Sequence, residues 1–208
     1  MFNKKFISAI VFSATVIYSS GTYNRLATEQ IASSAGTNQS EVVVTEMAEM
    51  NNIKQEKAKT VKYELPDKDT DFKTYMSYRA ITNTNSAQYK LQQEAWTDEN
   101  GLRKIGDDYM IAVGSFYSKH IGDRFKITLD SGVEFTAIVG DLKADKHTGS
   151  QHMYTPVYNA YGKFISANVI EFIVDTSSLP SSVRRAGSVG ALDDFSGNIK
   201  SIEKIKEE

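Results

Sequence analysis

Residues 124–139 read RFKITLDSGVEFTAIV and contain two runs in which apolar and polar side chains alternate. The residues that share one face are Phe125, Ile127 and Leu129 in the first run and Val133, Phe135, Ala137 and Val139 in the second. Alternation with a period of two is typical of half-buried β-strands. Asp130-Ser131-Gly132 has the length of a hairpin loop, with glycine where a left-handed backbone is needed. This stretch therefore predicts a β-hairpin.

The sequence on either side of the hairpin predicts more short strands. The runs are 109–113, which Gly114 ends, 154–158 and 163–167 around a turn at 159–162, and 169–174, which is apolar except for Glu171. Residues 181–185 suit a helical turn. Short strands with regular turn signals and no long amphipathic helix are typical of a small closed barrel. We therefore predict a mostly β fold.

Composition removes several classes of function. The chain has 208 residues, with 24 Lys and Arg against 26 Asp and Glu, and no cysteine. A formal charge of -2 gives no global basic field, so we expect no nucleic-acid partner. The lack of cysteine excludes disulfides, thiolate metal sites and a cysteine nucleophile. P-loop, GxGxxG, GxSxG and HExxH motifs are also absent, and we expect no cofactor.

The first residues predict export. Lys4 and Lys5 precede an uncharged run at 6–18, and this is the layout of a secretory signal. We interpret residues 1–21 as a signal peptide or a membrane anchor, and the sequence leaves both open. In either case the rest of the chain is expected to be extracellular or in the cell envelope, with membrane contact only if the segment is uncleaved.

The remaining chain divides by composition into three parts. Residues 22–71 are rich in Ser, Thr, Gln, Asn, Glu and Lys, which predicts a flexible or partly helical stalk or linker. Residues 72–198 hold the strands and form the predicted domain with its lead-in. Residues 199–208 alternate in charge and are predicted to be a solvated tail.

Two carboxylates in apolar company are the candidate catalytic groups. Asp141 follows Ile138-Val139-Gly140 at the end of a predicted strand, and Glu171 lies inside VIEFIV. Desolvation and a second nearby carboxylate both raise a carboxyl pKa, and a protonated carboxyl can protonate the leaving oxygen of a glycosidic bond. The alternative is that Glu171 points outward from a half-exposed strand and that Asp141 caps the following loop.

The loop after Asp141 and several aromatic residues form the secondary candidates. Lys143, Asp145 and His147 are candidates for tuning the pKa of Asp141. A metal site in this loop is the weaker interpretation, because polar loops of this kind are usually only solvated. Tyr117 and Tyr154 are candidates for stacking on sugar rings, and the alternative is that they only cover the barrel.

Residues 107–148, DDYMIAVGSFYSKHIGDRFKITLDSGVEFTAIVGDLKADKHT, and 167–175, ANVIEFIVD, carry a family resemblance. They resemble the three-aspartate domains of Gram-positive cell-envelope and phage-related proteins. The matching features are Ala112-Val113, Gly122 before a strand, Asp141 at a strand end, and the apolar-acid-apolar stretch Ile170-Glu171-Phe172. The resemblance covers roughly residues 75–198.

That resemblance implies a small six-stranded double-psi β-barrel, the fold shared with membrane-bound lytic transglycosylase A, the rare lipoprotein A family and expansins. It also implies peptidoglycan or another cell-wall glycan as the partner. Asp141 matches the family's catalytic acid/base position, and Glu171 matches the third acidic position, with Glu in place of Asp. The first family Asp is replaced by Gly114, which leaves open whether the protein is a lytic transglycosylase or a non-catalytic binding module.

Overall fold

The computed structural model describes residues 59–149 and 151–206. These residues form eleven β-strands and two short α-helices, so the mostly β class is confirmed. The strands are β1 Thr60–Lys62, β2 Tyr75–Ser77, β3 Trp96–Thr97, β4 Arg103–Ile105, β5 Asp108–Val113, β6 Arg124–Leu129, β7 Glu134–Leu142, β8 Thr155–Tyr158, β9 Phe164–Asn168, β10 Ile170–Val174 and β11 Ile199–Ile205. The helices are α1 Ala87–Glu94 and α2 Ser181–Ala186. The predicted leader and residues 22–58 of the predicted stalk lie outside the described residues.

Nine of the strands form one mixed sheet. Its order is β1-β11-β6-β7-β5-β10-β2, with β4 paired to β5 and β3 paired to β4, while β8 and β9 form a separate hairpin. The pairs β5–β7 and β2–β10 are parallel and the others are antiparallel. The order has two ends, at β1 and β2, so the described strands do not close into a barrel.

The hairpin expected from residues 124–139 is present as β6 and β7. Thr128 pairs with Glu134. The turn is closed by the Gly132 amide, which donates to the Leu129 carbonyl, and by the Leu129 amide, which donates to the Val133 carbonyl. Gly132 has φ +89, the left-handed conformation that glycine adopts without a Cβ clash. The inward face of β6 is buried, as the alternation predicts. In β7, Ala137 and Val139 are buried, Phe135 is half-buried, and Ile138 is buried on the other face.

The sheet buries side chains on both faces. The first face packs aromatic rings edge to face, with Tyr109, Phe172 and Phe195 at centroid distances of 5.0 to 6.1 Å. The second face carries Met110, Ile138 and Ile173, and residues of the lead-in between β2 and β4 cover it. Any site beside these three residues therefore lies on the face of the sheet that the lead-in covers.

The predicted solvated tail is wrong for residues 199–205. This segment is β11, which pairs with β6 and β1, and Ile202 is fully buried. The sequence IKSIEKI places apolar residues among charged ones, and the charged residues Lys200 and Lys206 remain exposed. Charge alternation here reflects a strand with one buried face rather than a solvated segment.

The folded unit begins before the predicted boundary at residue 72. Strand β1 pairs with β11, and Tyr63 and Leu65 pack against the core. The fully buried ammonium of Lys73 donates to the carbonyl oxygens of Asp71 at 2.9 Å and Gly197 at 2.6 Å. Burial lowers the pKa of Lys73 to about 8. Residues 59–71 are therefore part of the fold rather than of a linker.

The assignment of β11 predicts that substitutions at its buried and exposed residues differ in their effect on the free energy of unfolding. Ile202→Ala should lower the free energy of unfolding by about 2–5 kcal/mol, because it leaves a cavity in the core. Lys200→Ala, on the exposed face, should change it by no more than about 0.5 kcal/mol. Urea unfolding followed by circular dichroism measures both. Equal small effects would contradict the burial of this strand.

Candidate functional site

Asp141 and Glu171 lie in one row across three neighbouring strands. Ala112 of β5 pairs with Asp141 of β7 on one side and with Glu171 of β10 on the other. Paired residues of adjacent strands point to the same face of a sheet, so both carboxylates share the face that bears Ala112. Two strand spacings separate their backbones by about 10 Å. Both side chains are half-buried.

A bulge at Gly140 gives Asp141 this orientation. Val139 pairs with Ile111 and Asp141 with Ala112, so Gly140 is an extra residue in β7. Without the extra residue, alternation would turn Asp141 to the opposite face, together with Val139. A Cβ on Gly140 would lie 2.7 Å from Ile173 Cδ1, so a larger residue at the bulge would displace the end of that side chain on the second face.

A shallow groove opens beside Asp141. It has a volume of about 280 Å³ and is lined by Met76, Ala80, Ile81, Thr82, Asn83, Ser86, Gln88 and Asp141. Helix α1 begins at its edge, where the Ser86 hydroxyl caps the helix by accepting from the Tyr89 amide at 3.1 Å. Gln88 Nε2 donates to Asp141 Oδ1 at 3.4 Å. Gln88 is a groove residue that the sequence reasoning missed, because only tertiary packing brings α1 to β7.

Lys143 is buried, and its charge partner in the structure is Glu171. Its side chain follows Asp141 by two residues on β7, only 8% of the residue is exposed, and Nζ donates to the Asn168 carbonyl oxygen at 2.6 Å. Burial lowers the pKa of Lys143 to about 7, and the nearby carboxylate of Glu171 partly opposes that shift. The expected charge partner was Asp141, and the group that acts on Lys143 is instead Glu171.

The rest of the predicted loop cluster is exposed. Asp145 and His147 lie in a 3-10 turn, Asp145–His147, with both side chains open to solvent. Asp145 Oδ1 accepts from the Ser115 hydroxyl at 2.7 Å and does not join the Asp141 row. Across residues 59–149 and 151–206, no three His, Asp or Glu side chains come together in a group suited to a metal ion.

Tyr117 and Tyr154, the two tyrosines predicted to stack on sugar rings, mainly pack against other residues of the fold. Tyr117 is 1% exposed, and its hydroxyl donates to the Glu64 carbonyl at 3.2 Å. Burial raises the pKa of Tyr117. Its ring is therefore not open to a sugar. Tyr154 is half-buried against the first core, with its ring edge to face with Phe164 at 6.5 Å. Among the described residues, the exposed tyrosines are Tyr158 and Tyr161, at the tip of the β8–β9 hairpin.

Gly114, the position where the resemblance implies an acid, has no room for a side chain. A Cβ at this position would overlap the carbonyl oxygen of His152, which packs directly on the glycine. The Phe116 amide donates to the same oxygen at 3.5 Å. A loop thus fills the space at this position, and the sequence offered no signal that His152 lies there.

No family model, curated protein or solved structure that was compared with the chain matches it. In the part of the chain that the structure describes, no helix is long and apolar enough to cross a bilayer.

Gly114→Ala should destabilise the fold by about 3 kcal/mol, because the new methyl group meets a backbone carbonyl that cannot rotate away. Gly106→Ala is the matched control: its Cβ would meet nothing within 4 Å, and only its left-handed backbone, φ +54, opposes the change. That cost is about 1–2 kcal/mol. Thermal and urea unfolding compare the two. Equal losses would show that the His152 carbonyl moves away easily.

The burial of Lys143 predicts a pH-dependent stability. Its pKa falls from the ordinary 10.5 to about 7 in the fold, so between these values the unfolded chain holds a proton that the folded chain has released. The contribution of Lys143 to the free energy of unfolding is therefore least favourable below pH 7 and improves as the pH rises toward 10.

Lys143→Met removes this contribution, so the stability gained by the substitution should be largest below pH 7 and shrink at higher pH. Urea unfolding of both proteins from pH 5.5 to pH 9.5 measures the difference. The control is Lys146→Met, which replaces an exposed lysine in the adjacent turn. Parallel curves for wild type and Lys143→Met would contradict a lowered Lys143 pKa.

Proposed function

We propose that this protein is an exported, cell-wall glycan-active enzyme of the lytic-transglycosylase type, with Asp141 as the acid/base. The observation that carries the proposal is the row across β7, β5 and β10, in which Asp141 and Glu171 share one face of the sheet and Asp141 lines a groove. A groove with a half-buried carboxyl at its wall suits a polymer that lies across a surface.

In the proposed reaction, the protonated Asp141 carboxyl donates to the glycosidic oxygen as the bond to the anomeric carbon breaks. The resulting carboxylate then takes the proton from the 6-hydroxyl of the same sugar, and that oxygen closes on the anomeric carbon to give a 1,6-anhydro product. One group thus serves as acid and then as base. Ala112 stands between the two acidic residues, which supports a mechanism with a single acid/base rather than an adjacent pair.

Glu171 has an electrostatic part in this proposal. As a carboxylate it would stabilise the positive charge that develops on the sugar ring during bond cleavage. Lys143 lies close enough to Glu171 to interact with its charge.

We also propose that the domain is a variant of the double-psi barrel of the three-aspartate proteins, secreted or held by its N-terminal segment at the cell envelope. The resemblance of residues 107–148 and 167–175 supports this assignment. The two parallel pairs within an otherwise antiparallel sheet are compatible with crossing connections of that kind.

The second candidate is a non-catalytic module that binds cell-wall glycan. Two observations favour it: the space at Gly114 is filled by the His152 carbonyl, and Tyr158 and Tyr161 are exposed at the tip of the β8–β9 hairpin. Exposed aromatic rings offer flat apolar surfaces to sugar rings.

Incubation of the full chain with purified cell-wall sacculi, followed by mass spectrometry of the soluble products, tests the first candidate. Wild type should release 1,6-anhydro muropeptides, and Asp141→Asn should lower the rate by about 100-fold or more, since the amide cannot transfer the proton. Asp67→Asn, which changes an exposed carboxylate before β2, is the matched control and should keep the wild-type rate.

No product from wild type, or equal product from Asp141→Asn, would overturn the enzymatic proposal. Sedimentation of the chain with sacculi then tests the second candidate. Binding that survives Asp141→Asn and is lost in the double variant Tyr158→Ala, Tyr161→Ala would establish the binding module.

A further inference from the structure

A second polar cluster lies where strands β5 and β7 end. Ser115 follows β5, and Asp145 and Thr148 follow β7. The Ser115 hydroxyl donates to Asp145 Oδ1 at 2.7 Å, and the same oxygen lies 3.6 Å from His152 Nδ1. The Thr148 hydroxyl lies 2.8 Å from His152 Nδ1 and 2.8 Å from the Asp145 carbonyl oxygen. Two side chains, Asp145 and Thr148, thus face one ring nitrogen, and Ser115 holds the Asp145 carboxylate.

These contacts select one form of the imidazole. The Thr148 hydroxyl has a single proton, and the Asp145 carbonyl oxygen can only accept. When that proton goes to the carbonyl, His152 Nδ1 carries its own proton and donates it to Thr148 Oγ1. The carboxylate of Asp145 faces the same Nδ1–H and favours it further. The neutral ring then presents an unprotonated Nε2 on the side away from Asp145 and Thr148.

The backbone of His152 indicates that the side chain itself is needed. Its φ is +56, and it is the only non-glycine residue with a positive φ in the described part of the chain. Glycine adopts this conformation at lower cost than any residue with a Cβ. The turn is closed by the His152 amide, which donates to the Gly149 carbonyl at 2.8 Å, and the carbonyl of His152 packs on Gly114. An imidazole thus occupies a position that suits glycine.

We infer that His152 and Asp145 form a proton-accepting dyad, with Nε2 as the base and Ser115 and Thr148 as positioning residues. Nε2 takes a proton from a hydroxyl group, and the resulting imidazolium is stabilised by the Asp145 carboxylate facing Nδ1–H. His152 has 42% of its side chain exposed and Asp145 55%, so the base is open to a ligand. In this respect the dyad follows the logic by which a carboxylate orients a histidine in hydrolytic triads.

The class of proton donor rests on the proposed function: it is a water molecule that attacks the cell-wall glycan. The loop thereby supplies a base beside Gly114. Products of this route carry reducing ends, because in the 1,6-anhydro route Asp141 itself takes the proton.

The dyad is tested first without any substrate. The chain has three histidines, so long-range ¹H–¹⁵N spectra of the full ¹⁵N-labelled protein resolve each imidazole. His152 should be found in the Nδ1–H form, while His120 and His147, both exposed, serve as internal controls with the ordinary preference for Nε2–H. Thr148→Val with Asp145→Asn should return His152 to the control pattern. An Nε2–H form of His152 in the wild-type protein would overturn the inference.

The second test uses His152→Gly, which removes the imidazole and suits the left-handed backbone. This variant should unfold at the same or a higher urea concentration than wild type. It should nevertheless release reducing-end products from sacculi about 100-fold more slowly. His120→Gly is the control for loss of an exposed imidazole and should keep the wild-type rate.

The outcomes separate the two proposals. If wild type releases product but none with a reducing end, or if folded His152→Gly releases reducing-end product at the wild-type rate, the dyad is overturned and the proposed function stands. If wild type releases nothing, the proposed function fails, and the tautomer of His152 alone decides whether the dyad exists.

Discussion

Strand β5 is hydrogen-bonded on both edges and buried on both faces, and the rest of the sheet is arranged around it. Its neighbours are β7, which is parallel, and β10, which is antiparallel. Ile111 and Val113 enter one core and Met110 the other, all fully buried. Each such side chain contributes about 1.5–3 kcal/mol when it leaves water. This central strand therefore fixes the distance and register between β7 and β10.

The same constraint positions the candidate catalytic row. Because Ala112 is small and buried, the residues that pair with it on either side face a common surface without a large side chain between them. The bulge at Gly140 then turns Asp141 to that surface, and Lys143, two residues on, reaches the Asn168 carbonyl at the end of β9. A buried ammonium beside Glu171 is costly for folding.

The end of β5 connects the row to the His152 loop. Gly114 ends the strand, accepts the close approach of the His152 carbonyl, and leads into Ser115, whose hydroxyl orients Asp145. The short segment at residues 114–115 thus separates two groups of polar residues. One group is half-buried on the sheet, and the other lies on loops. The absence of an acid at position 114 and the presence of the histidine loop are a single structural feature.

The sequence by itself determined the local elements: the 124–139 hairpin, the apolar strand before Gly114, the hairpin around 159–162 and the strand that carries Glu171. Each depends on alternation or a turn within a few residues, which is short-range information. Only the tertiary structure decided that β11 is a strand, since its apolar residues have a buried face only once β6 is beside it. The same holds for the row of Asp141 and Glu171, for Lys143 facing Glu171, and for His152 over Gly114. Register, a one-residue bulge and loop packing set these contacts, and they depend on segments that are distant in the chain.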